Sequence, residues 1–248
     1  MSAFASVDPA IAHARVDAAL GGIEWAALED ELNRHGAAVV ESLLDEAQCH
    51  ALAALYATEA LFRSKVVMDR HGFGRGEYQY FAYPLPVLVE RLRTSIYPHL
   101  AGIADRWNEA LGLPARYPPS HADYLRECHA ANQARPTPLL LRYGSGDYNC
   151  LHQDLYGERV FPLQVALLLS RPGQDFTGGE FVLTEQRPRM QSRAEVVPLR
   201  QGDAVIFAVH HRPVRGSKGT YRVNLRHGVS RLRSGQRHTL GIIFHDAA

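Results

Sequence analysis

The sequence contains little cysteine. Cys49, Cys128 and Cys150 are odd in number and widely separated among 248 residues. This spacing offers neither a disulfide framework nor a zinc cluster, and it is typical of a reducing compartment. No apolar run is long enough to cross a bilayer, and the first residues lack the basic and apolar segments of a signal peptide. We therefore expect a cytoplasmic protein with no membrane partner.

Each end of the chain is poor in charge of one sign. Residues 1–60 contain ten acidic side chains against two arginines, whereas residues 187–237 contain eleven arginines and Lys218 against two acidic residues. The net charge is only +1. A basic C-terminal half can attract phosphates or other anions, or it can be a solvated sheet surface that acidic helices balance. The sequence is consistent with both interpretations.

The order of predicted elements is helices first and strands afterwards. Helical spacing recurs between residues 9 and 61 and from residue 85 to about 133, with one short strand at residues 37–41. After Pro138, eight strand-like segments follow, the first over residues 139–143, with no helical pattern between them. This order predicts a mainly β fold with α-helices, in which a jelly roll (a double-stranded β-helix) carries an N-terminal helical layer. We expect one compact unit, with a helical support region over residues 1–137 and the core over residues 138–248.

Residues 63–84 interrupt the helical pattern. Three glycines at alternate positions, from Gly72 to Gly76, are followed by a cluster of aromatic residues. No strand precedes the glycines and no Lys-Ser/Thr pair follows them, which argues against a phosphate-binding loop. We interpret the segment as a mobile aromatic loop, either a lid over a site or an ordinary surface loop. In the lid interpretation, the candidate substrate contacts are Arg75, Tyr80, Phe81 and Tyr83.

Chemistry is indicated first by His152 and Asp154. They belong to a predicted strand that follows the Gly-rich turn at residues 144–146. Alternate side chains of a strand point to one face, so the imidazole and the carboxylate project together. Such a pair supplies two of the three ligands of a facial iron site. The pair also occurs by chance, and on its own an exposed turn explains it more simply.

A second histidine for such a site must come from a distant strand. In the strand predicted over residues 221–227, alternation places His227 on the apolar, inward face. A lone histidine there is more often a core residue than a ligand. His210 and His211 are rival candidates on the preceding segment, and we prefer His227 because of its inward alternation and the arginine that follows it.

That arginine is Arg237, ten residues after His227. It shares one face of the last predicted strand with Thr239. An inward guanidinium requires an anionic partner, because an unpaired buried charge is very costly. Its planar fork suits a carboxylate that is held by two parallel hydrogen bonds.

As a set, His152-x-Asp154, His227 and Arg237 on a run of strands resemble the Fe(II)/2-oxoglutarate oxygenases. The interval between His227 and Arg237 is similar to that of the prolyl-hydroxylase branch, and the resemblance covers about residues 139–246. Two further motifs agree with it, namely Phe176-Thr-Gly-Gly-Glu-Phe181 and Gly202-Asp-Ala-Val-Ile-Phe207.

The resemblance implies a dioxygenase that couples decarboxylation of 2-oxoglutarate to hydroxylation of a C–H bond. Arg237 would bind the distal carboxylate of 2-oxoglutarate, assisted by Thr239. Tyr143, nine residues before the first histidine, would touch the same cosubstrate or, equally, pack in the core. The resemblance further implies that Fe(II), which also binds O2, is held by His152, Asp154 and His227.

The substrate implied by the resemblance falls into two classes. The run from Leu141-Arg-Tyr143 to Leu151-His-Gln-Asp154 is similar to the same stretch of the AlkB-type demethylases, which remove methyl groups from damaged bases. Those enzymes carry a second arginine six residues after the cosubstrate arginine, where this sequence has Ile243. The C-terminal half also resembles a bacterial family described as oxygenases acting on damaged nucleic acid. We therefore expect a methylated nucleic acid, with a peptide (as for a prolyl hydroxylase) or a small molecule as the alternative. A non-catalytic jelly-roll binding module is the remaining possibility.

Overall fold

The computed structural model describes residues 9–114, 116–217 and 219–248. The α-helices span Pro9–Gly21 (α1), Trp25–His35 (α2), Glu46–Ala54 (α3), Val87–Ala110 (α4) and His121–Ala130 (α5), and short 3-10 helices span Leu55–Ala57, Glu59–Leu61 and Met68–His71. The strands of the N-terminal part span Ala37–Val40 (β1), Phe62–Val67 (β2), Gly74–Arg75 (β3) and Glu77–Phe81 (β4). Those of the C-terminal part span Leu139–Tyr143 (β5), Tyr148–His152 (β6), Leu163–Leu168 (β7), Phe176–Gly178 (β8), Phe181–Gln186 (β9), Arg193–Val197 (β10), Ala204–Ala208 (β11), His211–Gly216 (β12), Gly219–Val229 (β13), Leu232–Gly235 (β14) and Arg237–Ile242 (β15).

Local sequence explains where the helices begin and end. Gly36 ends α2 in the left-handed conformation, with φ of 78°. Asp45 and Gln48 form a capping box at the start of α3. The hydroxyl of Ser120 accepts a hydrogen bond from the backbone N–H of Asp123 at the start of α5. The helical patterns predicted between residues 9 and 61 and from residue 85 to about 133 are therefore confirmed. None of the described helices is long and apolar enough to cross a membrane.

Two antiparallel sheets form the core of the molecule. The seven-stranded sheet has the order β1-β11-β7-β15-β5-β4-β2, and the other sheet has the order β10-β9-β13-β6-β3, with β12 also paired to β13. β8 and β14 form a separate pair. The two larger sheets enclose a cavity to which both contribute side chains. The predicted mainly β fold with helices, built on a jelly roll, is confirmed.

The helices cover the outer face of the seven-stranded sheet. β7 is buried on both faces, which explains its nearly continuous apolar sequence. Gln164 and Ala166 line the cavity between the sheets. Val165 and Leu167 belong to the apolar cluster that includes Ile96 and other buried residues of α4. The predicted helical layer therefore exists, and it supports the sheet opposite the cavity.

Residues 62–81 form strands that the predicted helical support region over residues 1–137 did not include, and β4 and β2 extend one edge of the seven-stranded sheet beyond β5. The strand predicted at residues 37–41 exists as β1, which pairs with β11 at the other edge. The aromatic loop predicted over residues 63–84 is also wrong, because most of this segment forms β2, β3 and β4. Gly74 has φ of +128°, and a Cβ atom there would lie 2.4 Å from the carbonyl oxygen of Tyr148. The glycine therefore permits close pairing of β3 with β6, not a flexible loop.

Candidate metal centre

Two neighbouring strands of the smaller sheet bring the predicted ligands together. β6 ends at His152, and β13 pairs with it so that His227 lies directly opposite. Opposite residues of an antiparallel pair have Cβ atoms about 4.5–5.5 Å apart, and here the two imidazole centroids are 4.2 Å apart. Asp154 follows His152 by two residues and places its carboxylate beside both rings.

The three side chains offer their ligand atoms within a small volume. One atom from each of His152, Asp154 and His227 lies within 4.8 Å of the others. Asp154 Oδ1 is 3.5 Å from His152 Nε2, and Asp154 Oδ2 is 3.4 Å from His227 Nε2. An ion that holds its ligands about 2.0–2.2 Å away places adjacent ligand atoms about 3 Å apart. The arrangement therefore suits a metal ion, and two histidines with one carboxylate are the donor set typical of non-haem Fe(II) oxygenases.

The two imidazoles are held in different ways. His152 Nδ1 donates to the carbonyl of Cys150 at 2.8 Å, so Nε2 is the nitrogen that faces Asp154 and that can bind a metal once it has lost its proton. His227 is buried, and its Nδ1 has no hydrogen-bond partner within the described parts of the chain. Its ring is fixed by aromatic contacts instead, with centroids 4.6 Å from Phe207 and 6.0 Å from Phe181.

The charges of the site favour an ionised carboxylate. Burial opposes ionisation of Asp154, but hydrogen bonds from His152 and His227 hold its pKa well below its usual value. Burial also acts against the charged form of His152, yet Asp154 raises the pKa of that imidazole. Burial lowers the pKa of His227. A buried carboxylate between two imidazoles is ready to bind a cation in exchange for protons.

Arg237 lies on the opposite wall, in the seven-stranded sheet. β15 pairs with β5 so that Arg237 is directly opposite Tyr143. Arg237 is 2% exposed, and no described carboxylate forms a salt bridge with it. Its Nη1 donates to Thr239 Oγ1, and its guanidinium carbon lies 5.6 Å from the centre of the Tyr143 ring and 5.9 Å from that of Phe176. Burial lowers the pKa of Arg237 to about 10. A buried cation of this kind requires an anionic ligand.

One cavity of about 340 Å³ connects the two walls. This volume lies within the range of about 300–1,000 Å³ that is usual for small-ligand sites. Four of its lining residues have a buried polar atom with no hydrogen-bond partner among the residues that the structure describes, namely Tyr143 (hydroxyl), Gln164 (Oε1), His227 (Nδ1) and Arg237 (Nε). Buried polar atoms are normally paired, so these atoms mark a place for a polar ligand. The residues present therefore fit both a metal ion and a dicarboxylate such as 2-oxoglutarate.

None of the four predicted substrate contacts lines this cavity. Phe81 is fully buried in the core, and Tyr80 is 8% exposed. The hydroxyl of Tyr83 donates to Asp246, far along the chain. Arg75 is exposed on β3, outside the cavity lining. These placements correct the prediction for Tyr80, Phe81 and Tyr83, because the segment interpreted as a loop is a strand pair that directs Tyr80 and Phe81 into the core, whereas Arg75 remains on the surface.

Phe73 and Tyr156 are among the cavity-lining residues that sequence reasoning missed. Phe73 is 47% exposed and stacks on His71, with ring centroids 5.3 Å apart. Its carbonyl accepts the backbone N–H of Cys150 at 2.9 Å, which fixes it beside β6. Tyr156 donates its hydroxyl to Asp154 Oδ1 at 2.6 Å. The alternation that puts His152 and Asp154 on one face continues to Tyr156, so the sequence could have indicated Tyr156. Phe73 lies between two glycines, and no sequence pattern indicated it.

Comparison with known proteins agrees with this geometry. A family model described as "Oxygenase, catalysing oxidative methylation of damaged DNA" matches residues 76–247. An uncharacterized protein of Mycobacterium tuberculosis is 53% identical over 168 residues, which cover 68% of this chain and 72% of that protein.

Solved structures share the fold at low sequence identity. A prolyl-4-hydroxylase from Pseudomonas putida has a TM-score of 0.51 at 16% identity, covering 88% of this chain and 96% of its own. An oxidoreductase of the 2OG-Fe(II) oxygenase family from Burkholderia pseudomallei has a TM-score of 0.51 at 16% identity, covering 92% and 93%. At these identities the likeness shows the fold alone, and it confirms the jelly-roll core. Because the family model matches well over half of the chain and a relative covering two thirds of it is more than half identical, the protein belongs to the Oxygenase-NA family of oxygenases.

Proposed function

We propose that the protein is an Fe(II)- and 2-oxoglutarate-dependent dioxygenase that hydroxylates a C–H bond. One observation carries the proposal: a single cavity has a two-histidine, one-carboxylate cluster on one wall and the unpaired cation of Arg237 on the other. A metal cluster alone is compatible with many reactions. The buried guanidinium adds a place for a carboxylate at a distance from the metal, which a dicarboxylate cosubstrate requires.

In this proposal the two walls of the cavity bind different ligands. Arg237 and Thr239 bind the distal carboxylate of 2-oxoglutarate, and Tyr143 packs beside it. When bound, iron, 2-oxoglutarate and O2 supply the oxidising power that places one oxygen atom in the C–H bond and releases succinate and CO2. The iron is held by His152, Asp154 and His227.

The protein's own contribution is positioning and exclusion of water. The hydroxyl of Thr239 and the rings of Tyr143 and Phe176 hold the guanidinium of Arg237 before any ligand arrives. A fork fixed in this way loses little conformational freedom on binding a carboxylate. Phe181 and Phe207 pack around His227 and keep that side of the metal site apolar.

We infer further that the substrate is a methylated nucleic acid. The description of the matching family names damaged DNA. The exposed ring of Phe73 at the cavity can stack on a base. Hydroxylation of a methyl group on a base nitrogen releases that carbon as formaldehyde, so the proposed reaction is demethylation. Seven exposed arginines in the basic segment form no salt bridge with the described residues, namely Arg189, Arg200, Arg215, Arg222, Arg226, Arg231 and Arg233.

The chain departs from the AlkB-type demethylases at Ile243, which is 1% exposed and packs in an apolar cluster with Tyr80 and Leu139. No arginine can therefore act from this position. Hydroxylation of a peptide or of a small molecule is the alternative activity, and the substrate assay must distinguish it.

Anaerobic binding followed by a substrate panel tests the proposal. We expect the protein to bind Fe(II) and then 2-oxoglutarate in equal amounts, with the charge-transfer absorption of the ternary complex. Methylated single- and double-stranded oligonucleotides should yield succinate and formaldehyde together, and Asp154→Ala should yield neither. A proline-containing peptide or a small molecule that gains one oxygen atom would instead favour the alternative. Failure to bind Fe(II) and 2-oxoglutarate would refute the proposal and leave a binding module.

A further inference from the structure

Tyr156 makes a hydrogen bond that the proposed reaction does not by itself require. Its hydroxyl donates to Oδ1 of Asp154 at 2.6 Å, and its side chain lines the cavity. Asp154 itself is 5% exposed. Within residues 9–114, 116–217 and 219–248, the hydrogen-bond donors to this carboxylate are Tyr156 and the two histidines. The bond is short and in the range of charge-assisted O–H···O⁻ bonds.

The segment that carries Tyr156 is fixed by buried polar contacts. Gln133, 1% exposed, donates from Nε2 to the carbonyl of Arg159 at 3.0 Å and accepts the backbone N–H of Arg159 at 2.7 Å. The same Nε2 lies 3.4 Å from the carbonyl of Tyr156. The Tyr156 ring meets Tyr80 edge-on, with centroids 6.2 Å apart and an interplanar angle of 89°. The contacts with Gln133 and Tyr80 therefore fix the position from which the Tyr156 hydroxyl binds Asp154.

The two oxygens of Asp154 differ as a result. Each oxygen faces one imidazole, Oδ1 at 3.5 Å from His152 Nε2 and Oδ2 at 3.4 Å from His227 Nε2, but only Oδ1 also accepts a hydrogen bond from a tyrosine among the described residues. A carboxylate can bind a metal with one oxygen or with both. A facial site must keep open positions for its other ligands, so binding through both oxygens would occupy one of them.

We propose that Tyr156 is a positioning residue that holds Asp154 by Oδ1 and so offers Oδ2 alone to the metal. This inference rests on the proposed function, because it presupposes that the cluster binds a metal. The loss of one such supporting hydrogen bond typically weakens metal binding by about 10- to 100-fold.

The test compares Tyr156→Phe with the unsubstituted protein, using Fe(II) alone and Co(II) alone as probes under anaerobic conditions. We expect Tyr156→Phe to bind Fe(II) at least about 10-fold more weakly. We also expect a changed visible spectrum of the Co(II) form, since that absorption depends on coordination number and geometry. Tyr117→Phe is the matched control, because Tyr117 also donates its hydroxyl, to the carbonyl of Val160 at 3.1 Å, but does not touch the cluster.

A donor at the same place should restore binding. Incorporation of 4-aminophenylalanine at position 156 keeps a ring of similar size with an N–H donor, and we expect it to recover most of the Fe(II) affinity and the original Co(II) spectrum. Near-ultraviolet circular dichroism checks that each variant is folded. If Tyr156→Phe does not fold, the test depends on the aminophenylalanine variant, which must bind Fe(II) with the affinity of the unsubstituted protein. Unchanged Fe(II) affinity and an unchanged Co(II) spectrum in Tyr156→Phe would overturn the inference and leave the proposed function intact. Absence of Fe(II) binding by the unsubstituted protein would overturn both.

Discussion

At the scale of single residues, the site depends on which histidine accompanies the His-x-Asp pair. His210 and His211 were rival candidates, but their rings pack on each other, with centroids 4.3 Å apart. Among the described residues they form no group of potential ligands with Asp154, whereas His227 does. Strand register decides the matter, because β13 places His227 opposite His152 and leaves the two rivals on β12 and before it.

We expect His152→Ala, Asp154→Ala and His227→Ala each to abolish turnover without loss of the fold. Each variant removes a ligand, so its Fe(II) affinity should fall by more than the about 10- to 100-fold that the loss of a supporting hydrogen bond costs. His211→Ala is the control and should bind Fe(II) normally. Anaerobic Fe(II) titration with circular dichroism measures both properties. Loss of iron in His211→Ala but not in His227→Ala would contradict the assignment.

A second residue-scale prediction concerns Arg237. Arg237→Ala should weaken 2-oxoglutarate binding by about 2–5 kcal/mol, because the distal carboxylate would have no buried partner. Arg237→Lys should recover only part of the loss, since an ammonium cannot form two parallel hydrogen bonds. The dissociation constant of 2-oxoglutarate in the presence of Fe(II) is the quantity to measure. Arg231→Ala, at an exposed position, should be neutral, and the reverse result would assign the carboxylate to another arginine.

At the scale of elements, prediction succeeded where one periodicity dominates. β5 was predicted over the residues where it lies, and the inward alternation of β13 was visible in its sequence. It failed over residues 63–84, because short strands with glycines at alternate positions carry no clear periodicity. β3 and β4 pair with β6 and β5, which are distant in sequence, so their place in the sheets is decided by tertiary contacts. The edge strand β2 depends on β4, its neighbour in the sheet. The strand β12 was also missed, and its neighbour in the sheet is β13.

The structure changes which aromatic ring of residues 63–84 should contact the substrate. Phe73→Ala should impair turnover of the true substrate several-fold while leaving Fe(II) and 2-oxoglutarate binding unchanged, because only Phe73 of this segment's rings is both exposed and part of the cavity lining. Separate measurement of KM, kcat and the 2-oxoglutarate dissociation constant distinguishes these effects. Tyr148→Ala is the control, since Tyr148 is exposed on the adjacent strand but outside the lining. Equal effects of the two substitutions would remove Phe73 from the substrate site.

The end of the described chain is joined to the helical layer by a buried charge. Asp246 is fully buried and lies 2.8 Å from Arg93 Nη2 on α4 and 2.9 Å from His129 Nε2 on α5, and it accepts the hydroxyl of Tyr83 at 3.0 Å. Burial raises the pKa of Asp246, but Arg93 and the hydrogen bonds lower it below its usual value of 3.8 overall. The contribution of Asp246 to stability is thus fully present above pH 3.8, its unfolded-state pKa, and is lost as the pH falls through the lower folded-state pKa.

We expect Asp246→Asn to lower the free energy of unfolding at neutral pH by about 3–5 kcal/mol, because Arg93 would keep a buried charge without its partner. The difference between the variant and the unsubstituted protein should shrink as the pH falls below 3.8. Urea titrations at several pH values measure it. Asp175→Asn, which removes an exposed ion pair with Arg171, should cost far less. A difference that stays constant down to the lowest pH would show that the charge of Asp246 is not its cause.

At the scale of the whole molecule, the acidic and basic parts of the sequence do not neutralise each other. Acidic residues of the first helices pair with α4, as in Arg91–Asp17 and Arg106–Glu29. The seven exposed arginines named above have no such partners among the described residues, although Arg193 pairs with Glu185 and Glu195. Two positions flank the turn at residues 144–147 that leads into β6: Arg233, whose carbonyl accepts the hydroxyl of Ser145, and Arg75, whose Nη1 lies near Gly146.

If the substrate is a nucleic acid, Arg75 and Arg233 should bind its phosphates, because they flank the strand that ends at the metal site. Replacing both with glutamine should weaken binding of a methylated oligonucleotide and reduce the slope of log K against log salt by about 0.7–0.9 for each phosphate that is no longer neutralised. Replacing Arg222 and Arg226 removes the same charge from the face of β13 opposite to His227, and should change the slope less. Fluorescence anisotropy at several salt concentrations, with Fe(II) and 2-oxoglutarate present without oxygen, measures both slopes. Equal slopes for the two double variants would show that the nucleic acid does not bind at Arg75 and Arg233. Salt-independent binding by the unsubstituted protein would favour a neutral peptide or small molecule as the substrate.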